Sequence, residues 1–239
     1  MNVLCIGNSF SEDATRYLHG IARADGVELQ VVNLYIGGCS LERHYRNMLS
    51  GERVYELQCN GHRTRFSVSL GEALLNREWD VITIQQASHY SFDFESYTPY
   101  ISSLAEFVRK CAPKAKIYMH QTWAYEEGSE RLARVAGYGR SAGMLADIVS
   151  AYDSAAKLIS ADGIIPSGRL IGVLSAAGGQ GLYHDTYHMS KGLGRYALGL
   201  LWYSVLCGAD VLDNSFCDTD TPLSDDEMLL VKKCVEALE

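Results

Sequence analysis

Short apolar runs recur along the chain at 3–6, 29–34, 81–84, 116–120 and, more weakly, 163–165, each of strand length. Between them the apolar positions change to a helical period. Ala14, Tyr17, Leu18, Ile21 and Ala22 share one face over 14–24, and Ile101, Leu104, Ala105 and Val108 do so over 100–111. Met144, Leu145, Ile148, Val149, Tyr152 and Leu158 repeat the pattern over 144–159. Alternating strands and helices predict a parallel sheet with helices on both faces, because a right-handed crossover uses a helix to return the chain. The expected class is α/β, with five mainly parallel strands at the centre.

One stretch departs from this rhythm. Residues 53–68 read as two strands joined at Asn60-Gly61, the pair that suits a tight hairpin turn, and predict a small β-hairpin inserted as a flap. Towards the C-terminus a long apolar helix is expected over 191–207 and a last helix from Ser224. Ser224 with Glu227, and Ser69 with Glu72, have the spacing of a capping box. Neither a repeat nor a low-complexity segment is visible, and 239 residues without a Pro/Gly/Ser-rich linker suggest a single domain, 1–239.

Composition narrows the partners. A hydrophobic fraction of 47% and a charged fraction of 21% suit a packed globular protein. With a formal net charge of -8 and no long Lys/Arg run, the chain has no electrostatic reason to approach nucleic acid or an anionic membrane. The seven cysteines are scattered singly, without Cys-x-x-Cys spacing, which suits reduced thiols. No apolar run approaches the ~20 residues that cross a bilayer, and the first strand follows Met1 directly. A cytoplasmic location is expected for the chain as it stands, and a secreted or periplasmic one if a leader has been removed.

In an open parallel sheet, ligands gather beyond the carboxyl ends of the strands. The segments placed there are 7–12, 35–40, 85–92 and 121–127. Ser9, in "CIGNSFSEDA", follows the first strand and reads either as a helix N-cap or as a nucleophile. A nucleophile needs a base and a group to orient it. Asp185 and His188, three apart in "YHDTYHMS", provide an acid to fix an imidazole and an imidazole to accept the serine proton. Gly37 and Gly38, in "NLYIGGCSLERH", either form a turn or bring a backbone N–H close to an oxyanion. Gln85 and Gln86 end the third run, where an amide could serve the same purpose.

These blocks together resemble the SGNH (GDSL-like) hydrolases, and within them a bacterial branch whose first block reads Gly-Asn-Ser-Phe-Ser. The resemblance spans nearly the whole chain, through "IGNSFS", "NLYIGGCSLERH" and "DTYHMS". It implies a three-layer flavodoxin-like α/β/α fold and hydrolysis of esters without a cofactor. Ser9 then corresponds to the nucleophile and, through its own N–H, to part of the oxyanion hole. Gly38 corresponds to a second donor, and Asp185 and His188 to the acid and base. The chain departs from the family at its third block, where Gly-x-Asn-Asp is replaced by "QQASH". Gln86 is taken as the substitute amide donor, although a gapless register brings Ser88 nearer the asparagine position.

The expected partner is a small-molecule or saccharide ester carrying a short acyl group, acetyl above all. Gln85, Ser88, His44 and Trp123 are the expected substrate contacts. His44 faces either the pocket or a helix surface, while Trp123 and Tyr125 either stack on a sugar ring or cover a core edge. The glycine-rich stretch 126–143 is either a lid or a solvated loop. Two rival readings remain. One is a binding protein that keeps the pocket without catalysis; the other is a metal-dependent phosphoesterase using His184, Asp185 and His188, with His120 as the one extra ligand at a strand end.

Overall fold

In a computed structural model, which describes residues 1–238, the chain forms seven strands. They are β1 (Asn2–Gly7), β2 (Gln30–Tyr35), β3 (Tyr55–Cys59), β4 (His62–Val68), β5 (Val81–Ile84), β6 (Lys116–His120) and β7 (Gly163–Ile165). They make one sheet in the order β4-β3-β2-β1-β5-β6-β7. Five of them, β2, β1, β5, β6 and β7, are mutually parallel. From β1 the chain first builds to one side, with β2, and later to the other, with β5. The carboxyl end of β1 is therefore the place where the strand order reverses and a crevice opens.

Strand periodicity decides what each face buries. Along β1, Val3 and Cys5 enter one core while Leu4 and Ile6 enter the other, and all four are fully buried. One face is covered by α1 (Ser9–Thr15), α2 (Leu18–Ala24), α7 (Ser167–Ala176), α8 (Leu193–Cys207) and α9 (Asp225–Glu236). The opposite face is covered by α3 (Leu41–Ser50), α4 (Leu70–Leu75), α5 (Tyr100–Cys111) and α6 (Ser141–Leu158). This is a three-layer α/β/α arrangement. Among the described residues no helix is long and apolar enough to cross a membrane, and all seven cysteines are free.

Three expectations change. The 53–68 hairpin is no flap: β3 pairs antiparallel with β2, from Val32↔Cys59 to Tyr35↔Glu56, so the sheet has seven strands instead of five. Pairing there satisfies the backbone groups that β2 would otherwise leave open at an edge. The first helix starts at Ser9, earlier than its apolar period indicates, and is interrupted after Thr15 before α2. Helices α3 and α7 join the expected ones: Leu41, Tyr45 and Met48 give α3 one apolar face packed on the core, whereas the apolar period of α7 is weaker. In α7, Gly168 and Gly172 lower the intrinsic helix preference and serve close packing, a Cβ on Gly168 falling 2.3 Å from the Thr122 carbonyl oxygen. Both expected capping boxes are present, at Ser69/Glu72 and Ser224/Glu227.

The turn at Asn60-Gly61 has φ of 51° and 79°, the left-handed pair that a two-residue hairpin needs. A Cβ on Gly61 would also lie 2.2 Å from the Arg16 carbonyl oxygen, in the segment between α1 and α2. Gly61→Ala is therefore expected to cost more than the ~1–2 kcal/mol of the left-handed backbone alone. At ~2–4 °C per kcal/mol for a chain of this size, thermal melts should show a fall of about 4 °C or more. An unchanged melting temperature would show that the hairpin is not fixed by this turn.

Candidate functional site

Strand β1 passes into α1 through a turn too tight for a side chain at Gly7, where a Cβ would approach the Ser11 hydroxyl oxygen to 2.1 Å. The N-cap is Asn8: its Oδ1 accepts from the Phe10 N–H at 2.9 Å, and the Asn8 N–H donates to Ser11 Oγ at 3.0 Å. Because Asn8 does this work, Ser9 occupies the first helical position with its hydroxyl unclaimed by the cap. Its Oγ lies 2.8 Å from His188 Nε2.

His188 Nδ1 is in turn 2.8 Å from Asp185 Oδ2, and the His188 backbone N–H donates to Asp185 Oδ1 at 2.9 Å. A carboxylate only accepts, so Nδ1 carries the hydrogen of the neutral ring and Nε2 turns its lone pair to Ser9. Burial pushes the Asp185 carboxyl up, but the side-chain and backbone hydrogen bonds from His188 outweigh it and leave the group below its ordinary value. The three-residue spacing closes because Thr186, between them, adopts φ 76°. The structure thus brings Ser9 to an acid–imidazole pair that lies 179 residues further along the chain at His188.

The loop bearing Asp185 and His188 is tied down on several sides. Asp13 of α1 accepts from the Met189 N–H at 2.9 Å and from Arg195 Nε at 2.9 Å. Burial raises the Asp13 carboxyl to about 6 against the opposing pull of Arg195. Trp123 Nε1 donates to the Tyr187 carbonyl at 2.8 Å, and the Glu126 N–H to the Thr186 carbonyl at 2.8 Å. Asp13 and Arg195 were not among the expected site residues. Their signal in the sequence is that Arg195 is the one charged residue within the apolar helix α8 and Asp13 falls next to the apolar face of α1.

Beside the Ser9 hydroxyl lies a cavity of about 420 Å³, lined among others by Gly37, Gly38, Ser88, His89, Tyr35, Tyr187 and Arg131. Gly38 has φ 61°, which accounts for a glycine at that turn. Ser88 lines the cavity from the end of β5, its Oγ 3.1 Å from the Tyr125 hydroxyl. Tyr187, inside "DTYHMS", and Arg131, inside 126–143, fall in stretches the sequence marks, but their residue types alone do not place them at the cavity.

Four expected contacts lie elsewhere. Gln86 is fully engaged as a clamp: Oε1 accepts from the Leu41 and Ala87 N–H groups, both at 2.9 Å, while Nε2 donates to Ser96. It has no donor left for an oxyanion, and Ser88 and His89 are the third-block residues at the cavity. Gln85 is buried behind Asn8, to whose Oδ1 it donates at 2.8 Å. Its own Oε1 accepts from His120 Nδ1 at 2.8 Å. The directions in this chain are fixed by the Phe10 N–H, which requires the Asn8 atom facing it to be oxygen. His44 is neither at the pocket nor on the surface, being buried and stacked on Tyr55 with Nδ1 3.0 Å from the tyrosine hydroxyl. Trp123 is buried too, stacked on Phe10 at 4.1 Å between ring centres, so it supports the site from beneath and offers no face to a sugar. Among the described residues no three His, Cys, Asp or Glu side chains converge as a metal-binding group.

Comparison with known proteins agrees with this architecture. A family model described as domain of unknown function DUF4886 matches residues 2–232. The chain is similar to the crystal structure of a DUF4886 family protein from Bacteroides uniformis, with 30% identity and a TM-score of 0.91 over 99% of this chain and 93% of the other. A protein of Slackia heliotrinireducens described as a candidate SGNH hydrolase is 24% identical, with a TM-score of 0.63 over 86% and 98%. The acetylxylan esterase Axe2 of Geobacillus stearothermophilus is 14% identical, with a TM-score of 0.50 over 87% and 92%. The last two likenesses are of fold, the three-layer arrangement with a mostly parallel sheet. No functionally curated protein matches.

The buried histidines give stability a pH dependence. Burial lowers both His44 and His120 to about 3, so each stays neutral in the folded protein while the unfolded chain takes up a proton below ~6.5. Their contribution is present above that value and is lost as pH falls, at ~1.4 kcal/mol per pH unit for each histidine. Asp13, raised in the folded state, works in the opposite direction between ~4 and about 6. Denaturant titrations from pH 6 to 5 should therefore show stability falling with pH, and His120→Gln should reduce the slope by ~1.4 kcal/mol per unit. Equal slopes for the two proteins would show that His120 is not held neutral.

Proposed function

The chain belongs to the DUF4886 family, and from the site this member carries we propose that it is a serine esterase of SGNH type that removes a short acyl group, acetyl above all, from a small alcohol such as a saccharide. The observation that carries this reading is the run of two 2.8 Å contacts from Ser9 Oγ through His188 to Asp185 beside a cavity. His188 Nε2 takes the hydroxyl proton as Ser9 Oγ attacks the ester carbonyl, and Asp185 balances the imidazolium that forms. The negative charge on the carbonyl oxygen is met by the Ser9 and Gly38 N–H groups, with Ser88 as the third donor in place of Gln86. His188 then protonates the departing alcohol. Water, deprotonated by the same imidazole, releases the acid and restores Ser9.

No cofactor enters these steps. The saccharide preference rests on the fold likeness to an acetylxylan esterase, since Trp123 lies in the core.

Hydrolysis of p-nitrophenyl acetate and butyrate, with fluorophosphonate labelling of the same samples, tests the reading. Ser9→Ala should abolish labelling and lower turnover by at least ~10³-fold. Full activity in Ser9→Ala would sink it, and a folded wild-type protein that neither turns over nor labels would point to binding without catalysis.

Asp13→Ala tests the tie between α1 and the His188 loop. It leaves Arg195 without its closest carboxylate and frees the Met189 N–H, so a loss of about 3 kcal/mol in denaturant unfolding is expected. Fluorophosphonate labelling of Ser9 should also slow at temperatures where the variant is fully folded. Unchanged labelling would show that His188 is positioned without Asp13.

A further inference from the structure

The cavity beside Ser9 has a charge that the proposed chemistry does not use. Arg131 enters it from the single π-helical turn Arg131–Val135, between β6 and α6. Its guanidinium carbon lies 3.7 Å from the centre of the Tyr187 ring and 5.4 Å from that of Tyr125. Stacking occupies the face of the guanidinium and leaves its N–H donors in the plane. Among the described residues none of those donors has a hydrogen-bond acceptor, and no carboxylate lies within ion-pair distance of them.

The contrast with Arg63 is direct. Arg63 lies 4.7 Å over Tyr35, another lining residue, yet it is paired with Glu12 at 3.0 Å and Glu56 at 3.4 Å. Arg131 alone brings an unpaired positive charge to the site. The cavity lining contains no Asp or Glu and no other Lys or Arg, in a protein whose formal net charge is -8. Asp185, the nearby acid of the site, has both oxygens engaged by His188. The field of Arg131 reaches His89 across the lining, adding to burial in holding that imidazole below its ordinary value.

We propose that Arg131 selects esters that carry a carboxylate in addition to the scissile group, so that the site acts on acidic esters in preference to neutral ones. The proposal rests on the esterase reading and assigns it a substrate class. A half-buried guanidinium with its edge open is a planar double donor that matches a carboxylate. One cation in a cavity of about 420 Å³ balances a single negative charge, whereas a phosphate dianion would require further donors.

Two matched pairs of substrates test it. Methyl 4-acetoxybenzoate and 4-acetoxybenzoate differ by a carboxylate on the alcohol side; the 4-nitrophenyl esters of monomethyl adipate and of adipate differ on the acyl side. The wild type should favour the anionic member of one pair by roughly 10- to 100-fold in kcat/KM, the range for a hydrogen bond to a charged group. In Arg131→Gln that ratio should fall to near 1, and Arg131→Lys should retain part of it. The ratio is internally normalised, so partial loss of folded protein does not imitate the effect. No preference in the wild type, or the same ratio in Arg131→Gln, overturns the proposal. Should neither pair turn over and Ser9 fail to label, the esterase reading falls, and calorimetry with 4-hydroxybenzoate and its methyl ester still decides the role of Arg131. Tighter binding of the anion in the wild type but not in Arg131→Gln supports it; equal binding, or binding of neither, overturns it.

Discussion

Asp13, in the middle of α1, accepts from the Met189 N–H and from Arg195, partners 176 and 182 residues further along the chain. Ser9 lies on the same helix and His188 immediately precedes Met189, so this carboxylate ties the helix of one directly to the loop of the other. The arrangement is electrostatically expensive, because removing a carboxylate from water disfavours its charged form, and the raised value of Asp13 records that cost. Arg195 and a backbone N–H offset it with directed hydrogen bonds that no apolar pair of the same volume could provide. Arg195 also reaches towards Asp220, which is bound by Arg16, so that α1, α8 and the segment before α9 meet in one charged network.

Below Ser9 a second polar system replaces what a hydrophobic core would leave undirected. Asn8 donates to the Cys39 carbonyl at 3.1 Å and accepts from Phe10 and Gln85, tying the end of β1 to the glycine turn after β2 and to the end of β5. Gln85 passes the alignment on to His120 at the end of β6. Four adjacent parallel strands are thereby registered through side chains at their carboxyl ends. Gln86 performs a similar task towards Leu41 and Ser96, which explains two consecutive buried glutamines in "QQASH" without either of them facing the cavity. In Asn8, Gln85 and Gln86 each amide oxygen and nitrogen has at least one partner, and each would be costly if left unpaired.

Much of this protein can be read from its residues in order. The short apolar runs of β1 and β5, the period near 3.6 in α5 and α6, the Asn60-Gly61 turn and the serine capping boxes are local, and local sterics and hydrogen bonding decide them. The alternation of strand and helix was enough for a parallel three-layer fold, and the short-range Asp185-x-x-His188 spacing was enough to suggest a paired acid and imidazole. What local pattern could not specify was partner choice. Whether 53–68 hung free or extended the sheet depended on the open edge of β2; whether Gln86, His44 and Trp123 faced a ligand depended on which backbone groups and rings lay opposite them. Polar and aromatic side chains serve equally well in a core, if satisfied, and in a cavity, so their type leaves both possibilities open. The placement of Arg131 over Tyr187, and of Asp13 between Arg195 and Met189, was decided only when segments distant in sequence packed together, because the burial and pairing that give those charges their meaning exist only in the folded chain.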